Sequence, residues 1–81
     1  MLERRAALPR KRTLKMGAIE FNRGGGVTST VRNLSESGAL LQVESVVGIP
    51  DEFTLFIEAD RFKRPCQVVW RQQNRLGVRF V

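Results

Sequence analysis

Arg75-Leu76-Gly77-Val78-Arg79-Phe80 decides the fold, because three apolar side chains alternate there with arginine, glycine and arginine. A period of two puts Leu76, Val78 and Phe80 on one face, as in a strand with one side against a core. The same period recurs upstream. Cys66, Val68 and Trp70 alternate with Gln67 and Arg71; Phe53, Leu55 and Ile57 alternate with Thr54 and Glu58. Ala39, Leu41 and Val43 alternate with Leu40, Gln42 and Glu44, and Gly48, Pro50 and Asp51 mark the turn that follows. Farther back, Val27 to Leu34 places Val27 and Val31 on one face, and Leu14 to Phe21 is rich in apolar residues. Within that last stretch Leu14, Met16 and Ala18 share one parity while Ile19 and Phe21 take the other, which predicts a bulge at Gly17. Asn22-Arg23-Gly24-Gly25-Gly26 supplies residues that tolerate positive φ, so the two flanking segments read as a hairpin.

Six short strands without an amphipathic helix of convincing length predict an all-β chain, a small six-stranded antiparallel β-barrel. Closure suits so short a chain: it shields the sheet edges and lets the inward side chains share one core. The 81 residues leave room for a single domain, and a core of this size exceeds the ordering entropy only by a small margin. Residues 1–12 lack any sustained period and Pro9 disfavours helix at Leu8, so the chain divides into an N-terminal arm over 1–12 and the barrel domain over 13–81.

Charge follows the same division. Fourteen Lys/Arg against eight Asp/Glu give +6 overall. Residues 1–15 carry Arg4, Arg5, Arg10, Lys11, Arg12 and Lys15 against Glu3 alone, a net +5, which leaves only +1 for the remainder. A cationic arm on a balanced body points to an anionic partner: a nucleotide, a nucleic acid or an acidic lipid surface.

Most catalytic chemistry lacks its residues. The chain has no histidine and one cysteine, which removes the commonest general base and metal ligand as well as any internal disulfide. No histidine stands ready to activate Ser29, Ser35, Ser37 or Ser45, and none belongs to a Ser-x-x-Lys pattern. Asp51-Glu52 and Glu58-x-Asp60 fall at turns or strand ends, where solvated charge is normal. Gly24-Gly25-Gly26 lacks the spacing and lysine of a phosphate loop and reads as a turn. Cys66 and Trp70 share the parity of Val68, so both are expected in the core, the thiol as a structural group. No apolar run is long enough to span a bilayer, so membrane insertion is not expected, and the chain is read as cytoplasmic. Pro9-Arg10-Lys11-Arg12 has the composition of a nucleic-acid patch, yet the aromatic residues fall mostly on inferred inner faces. A single-strand binder would expose them, so nucleic acid is not the expected partner.

Two segments remain: the arm Arg4-Arg5-Ala6-Ala7-Leu8-Pro9-Arg10 and the polar interruption Asn33-Leu34-Ser35-Glu36-Ser37-Gly38. Together they resemble the PilZ domain, whose pattern is Arg-x-x-x-Arg near the N-terminus followed by Asp/Asn-x-Ser-x-x-Gly on the barrel. Asn33, Ser35 and Gly38 meet the second half in full. Gly38-Ala39-Leu40-Leu41, Val68-Val69-Trp70-Arg71 and Gly77-Val78-Arg79-Phe80 also look like PilZ strands in order and spacing. The first half departs from the pattern, because four residues separate Arg5 from Arg10 where the family has three. The resemblance implies a six-stranded split barrel and a non-enzymatic bacterial receptor for the second messenger cyclic di-GMP, with no cofactor. It implies ligand contacts from Arg4, Arg5, Arg10, Asn33, Ser35 and Gly38, an arm that orders over the ligand, and a downstream protein partner. The alternative within the family is a degenerate interaction module that does not bind the nucleotide.

Overall fold

The computed structural model describes residues 11–21 and 25–81. Strands β1 (Lys11–Phe21), β2 (Gly25–Leu34) and β3 (Gly38–Gln42) lead to β4 (Glu52–Ile57). A single turn of 3-10 helix, Glu58–Asp60, then precedes β5 (Phe62–Gln72) and β6 (Arg75–Phe80). The six strands form a closed antiparallel barrel in the order β1-β2-β3-β6-β5-β4. The hairpin expected around the glycine run is present, with Phe21 opposite Gly25. Closure is made by a short seam between β1 and β4, where Ala18, Ile19 and Glu20 face Phe56, Leu55 and Thr54. Beside the seam, Lys15 Nζ lies 2.6 Å from Asp60 Oδ2, both partly exposed; such a surface pair is worth about 1 kcal/mol at most.

Alternation fills the barrel. Leu41 and Val43, Phe53, Leu55 and Ile57, and Leu76 and Val78 all point inward and are buried, joined by Ile19, Val31, Ile49 and Cys66. Each such side chain stabilises the fold by roughly 1.5–3 kcal/mol. The Cys66 thiol is buried as expected. Burial raises its pKa to about 11, opposed by a hydrogen bond with the Leu55 backbone and by the nearby Arg64 charge. At neutral pH it is therefore a thiol and a weak nucleophile.

The bulge expected at Gly17 is not there. Gly17 pairs in register with Ser29, and the register shift falls between Arg12 and Lys15. Gly17 holds an inward position beside Ile19, while Leu14 and Met16 are exposed on the outer face. The apparent phase slip arose from reading those two apolar side chains as core. A Cβ at Gly17 would lie 3.1 Å from Val31 Cγ2 and 3.3 Å from Leu55 Cδ1, so neighbouring side chains occupy the room that its own would need. Buried Ser29 completes the filling by donating a hydrogen bond to the Gly17 carbonyl at 3.3 Å.

Trp70 requires a second correction: it is 42% exposed and outside the core. Val68 pairs with Val78 and Trp70 pairs with Gly77, so two steps along β5 match one along β6. Val69 is the extra residue of a bulge. Beyond it the parity of β5 inverts, and the indole turns outward.

Candidate functional site

A row of paired positions crosses four strands on the barrel's outer surface: Asn33 on β2, Leu40 on β3, Gly77 on β6 and Trp70 on β5. Bulges flank it at both ends. In β2 the register shifts between Val31 and Asn33, so Val31 and Leu34 both pack on the core and Asn33 is left on the outer face. In β5 the shift is the one at Val69. Gly77 is what allows the row to close up, because the Trp70 indole lies where a Gly77 side chain would stand. A glycine inside a strand often marks such close approach.

The β2–β3 connection forms one wall. Ser35 Oγ accepts hydrogen bonds from the backbone N–H groups of Ser37 at 3.3 Å and Gly38 at 3.2 Å. The same hydroxyl donates to the Gly38 carbonyl at 3.2 Å, and the Ser35 backbone N–H donates to that carbonyl at 2.9 Å. These bonds use the full capacity of a hydroxyl, two acceptor positions and one donor, so Ser35 braces the loop from within. Gly38 is fixed by another close approach: a Cβ there would run into the carbonyl oxygen of Val78. The loop, the row and Arg79 enclose a surface hollow of about 340 Å³. That volume lies at the small end of the ~300–1,000 Å³ typical of ligand pockets.

The strand before the loop also carries the start of the barrel. Lys11 pairs with Leu34 and Arg12 with Asn33, so the basic segment joins the barrel beside the hollow. The sequence profile of the PilZ domain family matches residues 4–81, from the first arginine of the arm to the last residue of the chain. The chain belongs to the PilZ domain family. PilZ domains are a binding and adaptor family and in general receive cyclic di-GMP. No curated protein sequence matches the chain. No helix among the described residues is long and apolar enough to cross a membrane.

Of the site residues expected from the sequence, Asn33, Ser35 and Gly38 all line the PilZ hollow. Arg4, Arg5 and Arg10 lie outside the described residues. Trp70, Gly77 and Arg79 line it too, and the motif reading did not include them. Gly77 carried the available signal for Trp70, since a glycine on the outer face of a strand leaves room for a cross-strand aromatic.

The hollow has a directional electrostatic character. Among its described lining residues there is no aspartate or glutamate, and Arg79 is the one charged group. An anion placed there meets the Arg79 cation with no carboxylate among the described lining residues, and the Trp70 ring lies beside it.

Proposed function

We propose that this PilZ domain is a receptor for cyclic di-GMP in bacterial second-messenger signalling. The observation that carries the reading is the convergence of Asn33, Gly38 and the exposed Trp70 on one hollow with no acid among its described lining residues, beside the start of β1 at Lys11. The ligand's chemistry suits these groups. Its two phosphodiester anions and two guanines call for guanidinium forks, amide hydrogen bonds and a flat surface for stacking. Asn33 offers its amide to a guanine edge, and Trp70 offers a ring face, a contact worth about 1–3 kcal/mol per stacked base. Ser35 acts indirectly by holding the loop in shape. Gly38 keeps the floor open and lets β3 approach β6.

A hollow of this size holds part of a dinucleotide, so the ligand needs another wall, and the arm supplies it. In this reading Arg5 and Arg10 close over the ligand, with Arg4 as a further cation. The first described residues of β1, Lys11 and Arg12, pair with Leu34 and Asn33 at the edge of the hollow, which supports a role for the residues just before them. Ligand capture then orders the arm and changes the surface offered to a downstream protein in the bacterial cytoplasm.

One tryptophan and no tyrosine make the test direct. Titration with cyclic di-GMP should give saturable heat and a saturable change in Trp70 fluorescence, and Arg10→Ala or Asn33→Ala should weaken both at least about tenfold. A wild-type protein giving neither signal would favour the second reading, a PilZ interaction module that has lost the nucleotide. The observation behind that second reading is the four-residue separation of Arg5 from Arg10.

A further inference from the structure

Arg79 is the one arginine among the described residues that line the hollow. Arg71 is paired with a carboxylate, its Nη2 lying 2.7 Å from Asp51 Oδ1. Arg64 lies over the Phe80 ring, 5.1 Å from its centroid. Arg32 donates to Gln42 Oε1 at 2.9 Å, outside the hollow. Arg79 lines the hollow, and its partner is neutral: Nε donates to Gln67 Oε1 at 2.9 Å and Nη2 donates to the same oxygen. A guanidinium carries five N–H donors, so this arrangement fixes the plane of the group, and among the described residues no carboxylate pairs with it. Across the strand pair Arg79 faces Gly38, which puts no side chain over it. A cross-strand Arg–Gln pair is also a common way to dress a sheet surface. Such dressing does not require that the arginine be the one charged group among the described lining residues of a hollow.

We propose that Arg79 is a further ligand-binding residue, a pre-oriented guanidinium that grips one phosphodiester of the ligand from the barrel side. Gln67 is its positioning residue. This assignment rests on the reading of the hollow as a cyclic di-GMP site. A fork held in place before the ligand arrives loses little freedom on binding, which is where pre-organisation raises affinity.

The test uses the full chain, cyclic di-GMP, Trp70 fluorescence and calorimetry over a range of salt concentrations. Arg79→Gln should weaken binding about tenfold or more and flatten its dependence on salt, because one charge–charge contact is gone. Arg79→Lys should recover the salt dependence and only part of the affinity, since charge returns without the fork. Gln67→Glu should weaken binding with Arg79 intact, because a carboxylate on the guanidinium competes with the phosphate. Thermal melts of each variant check that this exposed position leaves the barrel folded. Wild-type binding with an unchanged Arg79→Gln variant overturns the Arg79 assignment alone. So does a loss of affinity with an unchanged salt dependence, because the missing contact is then not to phosphate. A wild-type protein that does not bind overturns the proposed function, and the Arg79 assignment falls with it.

Discussion

Strands β4 and β5 lie side by side, and they spend their side chains differently. In β4 the alternation runs without interruption, and Phe53, Leu55 and Ile57 all go to the core. In β5 it holds through Cys66 and Val68, breaks at Val69, and sends Trp70 outward to the hollow. The regular strand supplies cohesion. The irregular one supplies a binding surface, and one extra residue makes the difference. Bulges gather near functional sites because they re-aim a side chain without altering the rest of the sheet.

The sharpest way to break this comparison is to attack the regular strand. Leu55 is fully buried, so Leu55→Ala should destabilise the barrel by about 2–5 kcal/mol in urea unfolding. A loss below ~1 kcal/mol would mean that the core tolerates a cavity there and that β4 is less central than its burial implies.

A second test addresses the half of β5 that still follows the pattern. The Cys66 pKa is raised to about 11 in the folded protein, so the unfolded chain gives up that proton at lower pH. The thiol's contribution is therefore complete below its unfolded pKa and is lost as pH rises from about 9 towards 11. Stability should fall by on the order of 2 kcal/mol across that window, and Cys66→Ala should remove that part of the pH dependence. Parallel pH profiles for the two proteins would show that the thiol is not held in the apolar interior.

The smallest effect on stability is expected beyond the bulge. Trp70→Ala removes an exposed ring that no inward side chain leans on, so unfolding should change by about 1 kcal/mol or less. Cyclic di-GMP affinity, measured by calorimetry, should fall roughly five- to hundredfold through lost stacking. The reverse pattern, a large loss of stability with intact binding, would return Trp70 to the core.

These strands also show how far the sequence can be read. Inward positions on β3, β4 and β6 follow from period two because nothing interrupts it, whereas the pairings of β3 with β6 and of β1 with β4 join strands that no turn connects and were not legible. Asn33, Ser35 and Gly38 were legible as a motif, and they meet at one hollow. Trp70 was misread because an inserted residue leaves no local mark: Val68-Val69-Trp70 carries the same apolar pattern with or without a bulge. Gly17 failed for a related reason. Its inward slot is filled by Val31 and Leu55, which are far away in sequence, and its exposed neighbours Leu14 and Met16 imitate a buried face. In the sequence Arg79 is only a polar position between Val78 and Phe80; pairing places it across from Gly38 and Gln67.

The seam between β1 and β4 has a mechanical consequence. Only Ala18, Ile19 and Glu20 are laced to the neighbouring strand there, whereas β1 is laced to β2 from Lys11 to Phe21. The cylinder is thus a rolled ribbon held shut by a small latch. Releasing that latch would bare two unpaired edges at once. Closure at this join covers both edges, and no described residue of β1 or β4 lines the hollow.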